Sequence, residues 1–234
     1  MYLTLDFGNT ASKYALFTEK GILHSQGIFQ ETFDFDTRGI SSCIYCTVRD
    51  KIPLLAGLDC PVLELTASMK LPIKIAYKSP ETLGTDRLAA ALGAHKLSTK
   101  NTASLIVDAG TCLTFDCLSD DENYLGGSIS PGLQMRYLAL HQNTAQLPLV
   151  RHSPFHQLLG QTTNDSILCG VQQGILGEVE RQIWLFLEKY PSAQIFLSGG
   201  DHRFLANQLK TKIFVEPLLN HYGLLHTMQY HEKH

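Results

Sequence analysis

Leu3-Thr4-Leu5-Asp6-Phe7-Gly8-Asn9-Thr10 and, 102 positions on, Leu105-Ile106-Val107-Asp108-Ala109-Gly110-Thr111 are two versions of one design. In each, apolar β-formers run into an Asp-x-Gly bend, and a second strand-like run follows, at 13–17 and at 113–118. Glycine admits the backbone conformation that such a tight bend needs. A third strand-plus-glycine unit, Ile195-Phe196-Leu197-Ser198-Gly199-Gly200-Asp201, comes late in the chain. One strand–turn–strand unit per half predicts a duplicated α/β fold, with halves at 1–100 and 101–234 and a cleft between them.

Working outward, Gly21 predicts a hairpin turn into a strand over 22–29, and strands are expected at 42–48 and 62–65. The Ala- and Leu-rich run 85–96 predicts a helix capped by Thr85 or Asp86. Pro131 suits the first turn of a helix reaching about Gln142. The longest predicted helix spans 163–190, because Ile167, Val171, Ile175, Val179, Ile183 and Phe186 recur every three or four residues. Asn164 or Asp165 is its expected cap and Pro191 its stop. The stretch 145–162, of mixed polarity, is expected to be a loop.

Composition narrows the function classes. Of 234 residues, 44% are hydrophobic and 18% charged, enough apolar material for a sizeable core. Nineteen basic against 22 acidic residues give a formal charge of −3, so no basic field for nucleic acid or an anionic membrane is expected. No apolar run approaches the roughly 20 residues of a membrane span, and MYLTLDFGNT has no secretory pattern. The expectation is a soluble cytoplasmic chain with reduced thiols. Cys43 and Cys46 form a lone CxxC on a strand-like run, read as structural thiols. His221, His226, His231 and His234 are read as a frayed polar tail, and Trp184 and Phe186 as core or subunit interface.

The bends suggest chemistry. Bare backbone N–H groups at a glycine turn approach an anion closely, which suits phosphate. Asn9 and Thr10 add donors, Lys13 adds a cation, and the Asp6 carboxylate suits a hydrated Mg²⁺ held against phosphates. Gly110 and Thr111 offer donors of the same kind. No GxxxxGK[ST] or GxGxxG is present. Read without other context, both bends also fit plain β-hairpin turns.

A resemblance makes the reading specific. The Asp-x-Gly-Asn-Thr opening, Asp-Ala-Gly-Thr and the late Ser-Gly-Gly resemble the phosphate-1, phosphate-2 and adenosine elements of the acetate and sugar kinase/Hsp70/actin superfamily. Within it the chain resembles type III pantothenate kinase. The residues that carry this are Asp6-Phe7-Gly8-Asn9-Thr10 with Lys13, Tyr77-Lys78-Ser79-Pro80-Glu81-Thr82-Leu83-Gly84-Thr85-Asp86-Arg87, and Asp108-Ala109-Gly110-Thr111. Gly126-Gly127-Ser128-Ile129-Ser130-Pro131-Gly132 and Gly160-Gln161-Thr162-Thr163 complete the set. YxxPxxLGxDR is the most specific of these motifs, and the likeness runs from residue 3 to about Leu225.

The resemblance implies two ribonuclease H-like (actin-like ATPase) halves and phosphoryl transfer from ATP to pantothenate, the first step of coenzyme A synthesis. It implies Mg²⁺, a monovalent cation (potassium or ammonium) and a homodimer. Asp6, Phe7, Gly8, Asn9, Thr10, Ala11, Ser12 and Lys13 would form the first ATP-phosphate loop, with Thr111 contacting ATP from the second. Tyr77, Gly84, Thr85, Asp86 and Arg87 would line the pantothenate pocket, with Asp86 as catalytic base. Asp108 would hold the monovalent cation, and Thr163, or Thr162 beside it, would contact pantothenate across the dimer. On residue grounds alone Asp86 also suits a helix N-terminus, Arg87 a surface ion pair and Tyr77 a half-buried structural role. The alternatives are a kinase for another hydroxylated acceptor or a non-catalytic member, since relatives were first described as accessory factors for transcription. An Hsp70- or actin-like machine finds no room for a client domain in 234 residues.

Overall fold

The structure is a computed structural model of the 234-residue chain; it describes every residue except Glu31, Asp34, Asp50, Lys51, His156 and His234. Its strands and helices, in chain order, are β1 (Tyr2–Phe7), β2 (Ser12–Phe17), β3 (Leu23–Phe29), β4 (Ser42–Thr47), β5 (Val62–Glu64), β6 (Lys74–Ile75) and α1 (Thr85–Leu97). There follow β7 (Ser104–Ala109), β8 (Cys112–Leu118), β9 (Asn123–Pro131), α2 (Leu133–Gln142), α3 (Thr163–Lys189), β10 (Gln194–Ser198), α4 (His202–Ala206), β11 (Phe214–Val215) and α5 (Leu219–His231).

The chain forms two compact units: Met1–Asn101 with Leu118–Gly126 and Leu218–His234, and Thr102–Cys117 with Gly127–Pro217. Two segments from beyond residue 101 thus return to the first unit. One sheet has the order β3-β2-β1-β4-β5, and the other contains the matching order β9-β8-β7-β10-β11, with β6 added beyond β9. In the first, β1 is antiparallel to β2 and β2 to β3, while β4 runs parallel to β1 and β5 to β4. In the second, β10 is parallel to both β7 and β11. Each Asp-x-Gly bend joins two strands, β1 to β2 and β7 to β8, as the echo in the sequence predicted, and β1 and β7 lie inside their sheets. Among the described residues, no helix is long and apolar enough to cross a membrane.

Strand periodicity decides which side chains meet which layer. On β1, Leu3, Leu5 and Phe7 face one way into a core with Leu16, Phe29, Ile40 and Cys43. Thr4 and Asp6 therefore face the other way, toward α5. That helix packs on α1 at backbone distance. A Cβ at Gly93 would lie 2.1 Å from the Leu219 carbonyl oxygen, and one at Gly223 would lie 1.9 Å from that of Ala89. In the second unit, Ile167, Val171, Ile175, Val179, Ile183 and Phe186 of α3 are all buried in a core with Leu105, Val107 and Phe115. At about 1.5–3 kcal/mol for each buried aliphatic side chain, this stripe holds the helix to the sheet.

Four local expectations are corrected. Helix α1 is capped by Gly84, not by Thr85 or Asp86: the Thr85 hydroxyl is spent on Thr47 instead. Helix α3 is capped by Thr162, whose hydroxyl accepts from the Asp165 N–H at 3.1 Å, rather than by Asn164 or Asp165. Pro131 closes β9, and α2 starts beyond it at Leu133 with Gly132 as cap. The C-terminal histidines are not a frayed tail: His221 is fully buried in α5, and His226 stacks on His95 with ring centroids 5.3 Å apart. His231 ends that helix, and His234 lies outside the described residues.

Candidate active site

In the first unit the parallel register sets Asp6 beside Cys46 and Phe7 beside Thr47. The Thr85 hydroxyl donates to the Thr47 carbonyl at 2.8 Å and accepts from its N–H at 3.0 Å. This clip ties the N-terminus of α1 to the end of β4, next to the end of β1. Asp86 follows directly, close enough that its charge acts on Asp6. Its Oδ1 accepts from the Arg87 N–H at 2.8 Å, and among the described residues no donor holds Oδ2. Gly84 makes the space for this carboxylate, since a Cβ there would lie 2.6 Å from Asp86 Oδ1. Arg87 is buried, 8% exposed, so the surface ion pair does not describe it.

Asp6 differs from Asp86 in having both oxygens engaged. Asn220 Nδ2 donates to Oδ2 at 3.0 Å, and Cys46 Sγ donates to Oδ1 at 3.5 Å. Burial pushes the Asp6 pKa up, and the Asp86 charge adds to this. The Asn220 amide, the Lys13 ammonium and the Cys46 thiol pull it down. Lys13 sits directly opposite Asp6 on β2. Between them lies the bend: Gly8 is half-buried, Asn9 and Thr10 are exposed, and Arg49 Nη2 donates to the Gly8 carbonyl at 2.8 Å. Ala11 and Ser12 lead back into β2, with Ser12 buried opposite Phe7.

Tyr77 is placed by the return segment 118–126. Its ring meets Tyr124 edge-on at 6.0 Å, and a Cβ at Gly126 would lie 3.1 Å from it. Gly126 also has a φ of +103°, so the site favours glycine on two counts. Tyr77 is half-buried, Gly84 and Thr85 likewise.

In the second unit Asp108 lies next to the end of β7, in register with Ser198 of β10. The turn after β10 rests on the end of β7: the Asp201 N–H donates to the Ala109 carbonyl at 2.8 Å, and a Cβ at Gly199 would lie 2.4 Å from Ala109 backbone atoms. Gly132 packs on the same bend, with its N–H donating to the Thr111 carbonyl at 3.2 Å. The Asp-Ala-Gly-Thr, Ser-Gly-Gly and Ser-Pro-Gly motifs therefore converge on one place. Thr111 is exposed there. Thr163 is exposed in the first turn of α3, while the Thr162 hydroxyl is committed to the cap. Thr163 also borders an apolar cavity of about 790 Å³ between α2 and α3, lined by Pro131, Leu140, Leu147, Ile167 and Val171. Arg136 in α2 is occupied with Glu178, the Pro131 carbonyl and Ser130, a structural role.

Of the residues expected to form the site, Asp6, Lys13, Gly84, Thr85 and Asp86 lie around one end of β1, and Asp108 and Thr111 at the matching end of β7. Not foreseen from the sequence are Asn220, His221, Thr47 and Cys46. Cys46 had been read as purely structural, yet it touches Asp6. The signal for the first two was faint: the polar pair Asn220-His221 directly follows Leu218-Leu219, and nothing nearby in sequence marks it.

Comparison with known proteins closes the question of kinship. The sequence matches the type III pantothenate kinase family over residues 29–184. It is 36% identical over 225 residues to a type III pantothenate kinase of Christiangramia forsetii, covering 92% of each chain. A Campylobacter jejuni structure described as a putative Baf family transcriptional activator shares the fold across 99% of this chain and 100% of its own, with 22% identity and a TM-score of 0.59. A putative 2-dehydro-3-deoxygalactonokinase of Sinorhizobium meliloti shares it at a TM-score of 0.51 and 14% identity, covering 96% and 97%. The fold is thus that of the actin-like ATPases and sugar kinases, and the chain belongs to the type III pantothenate kinase family.

Proposed function

We propose that the protein transfers the γ-phosphoryl group of ATP to the primary hydroxyl of pantothenate, giving 4'-phosphopantothenate and ADP. The observation that carries this reading is the pair of unlike carboxylates at the end of β1. Asp6 has both oxygens held by donors, whereas Asp86 keeps Oδ2 clear of any donor among the described residues. A general base needs such an oxygen within reach of the hydroxyl it deprotonates. An aliphatic alcohol is a weak acid, so Asp86 aligns the hydroxyl and takes its proton late, as the oxygen–phosphorus bond forms and the bond to ADP breaks.

The other residues position groups and neutralise charge, since the loose transition state asks little else of a protein. Within the loop 6–13, bare backbone N–H groups at the bend and the Lys13 ammonium take the phosphates, with Thr111 contributing from the second bend. The Asp6 carboxylate is the hard oxygen donor that would hold a hydrated Mg²⁺ against the phosphates. When bound, the ion screens the charge that builds on the transferring phosphoryl oxygens. Asp108 supplies the hard oxygen that a monovalent cation, potassium or ammonium, accepts. Tyr77, Gly84, Thr85 and Arg87 shape the acceptor site, with the guanidinium of Arg87 pairing to the pantothenate carboxylate. The protein acts as a cytoplasmic homodimer: the apolar cavity between α2 and α3, with Thr163 at its edge, is the face a second copy covers. Nucleic acid and membranes are not partners.

The test is ADP release coupled to pantothenate, run in potassium, ammonium and sodium buffers, on wild type and Asp86→Asn. Turnover should require pantothenate, be higher in potassium or ammonium, and fall roughly 10²–10⁴-fold in the variant. Turnover indifferent to pantothenate, or a fully active variant, would overturn the reading.

A further inference from the structure

We propose that Asn220 is a positioning residue for phosphoryl transfer, its side-chain amide fixing the orientation of the Asp6 carboxylate from the C-terminal helix. This deepens the kinase reading and rests on it. Asn220 Nδ2 lies 3.0 Å from Asp6 Oδ2, and only an N–H facing a carboxylate makes that contact attractive. With Cys46 Sγ on the other oxygen, the carboxylate is gripped at both ends and cannot swing about its χ2.

Three further observations separate positioning from packing. Asn220 Oδ1 is buried and without a donor among the described residues. An orphaned buried acceptor is costly, so packing alone gives no reason for an amide there; its donor end, directed at Asp6, does. Next, the base of the amide is immobilised by its neighbours. His221 Nδ1 lies 2.9 Å from Thr4 Oγ1, and Thr4 precedes Asp6 by two residues on the same face of β1. The Thr4 hydroxyl donates to the Ala15 carbonyl at 3.1 Å, so it accepts from His221 Nδ1–H, which sets the tautomer. Finally, the backbone contacts Gly93–Leu219 and Gly223–Ala89 flank Asn220 and lock α5 to α1, the helix that carries Asp86. Asn220 is thus referenced to both carboxylates. Burial and the Asp86 charge favour a protonated Asp6, and the donated hydrogen bond opposes them.

The experiment compares wild type, Asn220→Leu and Asn220→Ala, with Thr227→Val as a control on the same helix; Thr227 is buried and, among the described residues, its hydroxyl bonds only within α5, to the Gly223 carbonyl. Two quantities are read: pantothenate-dependent kinetics, and equilibrium binding of ATP titrated against magnesium without pantothenate. Removing the amide should lower kcat roughly 10–100-fold and raise the magnesium needed for half-maximal ATP binding by a similar factor, with the KM for pantothenate within about 2-fold. Thr227→Val should shift thermal stability yet leave both quantities near wild type. Unchanged magnesium dependence in the Asn220 variants, or an equal loss in Thr227→Val, overturns the assignment. Wild type that binds magnesium–ATP but does not phosphorylate pantothenate defeats the kinase reading alone, and the binding comparison still decides Asn220. Wild type that binds no magnesium–ATP overturns both.

Discussion

The surroundings of Asp6 push its carboxylate toward the protonated form. Burial and the neighbouring Asp86 raise its pKa, so the folded protein binds a proton there more tightly than the unfolded chain does. A raised carboxylate subtracts stability at neutral pH and returns it as pH falls through the folded pKa. Asp6→Asn should therefore raise the thermal midpoint at pH 7 while lowering kcat by about 10²-fold or more, the scale seen when one transition-state contact is lost. Thermal unfolding alongside the ADP assay checks both signs. A midpoint below wild type would show that the carboxylate's hydrogen bonds outweigh its burial. This was only half legible in the sequence. The aspartate and its bend stand out at residue 6, but the amide that holds it lies 214 residues away, and no local pattern links them.

At the scale of elements, α1 and α5 touch through glycines, and this contact is the most exacting in the first unit. Gly93→Ala or Gly223→Ala would drive a methyl into a backbone carbonyl, a clash that no rotamer relieves. Each should cost about 1–3 kcal/mol in chemical denaturation, with activity falling as Asn220 and Asp86 separate. By contrast, a Cβ at Gly177 in α3 meets nothing within 4 Å, and Gly177→Ala should gain about 0.5–1 kcal/mol from helix propensity. The existence of α1 and α3 was readable from composition and periodicity. Their caps were not, because Thr85 spends its hydroxyl on Thr47, a contact 38 residues distant that sequence cannot weigh. Helix α5 was missed altogether. It is buried at Leu219, His221, Gly223, Leu224, Leu225, Thr227 and Met228, positions spread around the helix, so no polar face announces it.

For the molecule as a whole, the buried histidines set the response to acid. Burial first, then the Lys13 charge, lowers the His221 pKa to about 3, against a partial rise from its bond to Thr4. Burial, with His95, Lys96 and Lys233, lowers that of His226 to about 4. Both stay neutral in the folded state where the unfolded chain takes up protons, so their contribution is intact above about pH 6.5 and declines below it. The His221 share should amount to about 1.4 kcal/mol per pH unit, and the Asp6 term runs in the opposite direction. Denaturant titrations at pH 7.5 and 5 should show wild type losing stability, with His221→Gln losing less by roughly that slope. Equal losses in the two would assign the effect elsewhere. The duplicated α/β architecture was legible from the two Asp-x-Gly bends and the strands around them. The return of residues 118–126 and 218–234 to the first unit was not, because chain order carries no signal of it.

That return has a consequence for synthesis in the cell. The opening strands leave the ribosome first, but the helix that covers Thr4 and Asp6 is encoded after Leu218. At about 5–20 residues per second, the stretch from Asn101 to Leu218 takes roughly 6–23 seconds to translate. Throughout that interval the nascent first unit lacks the helix that covers β1. A polypeptide that stops before that point lacks the amide that grips Asp6, so a strand made early waits on a helix made late to complete it.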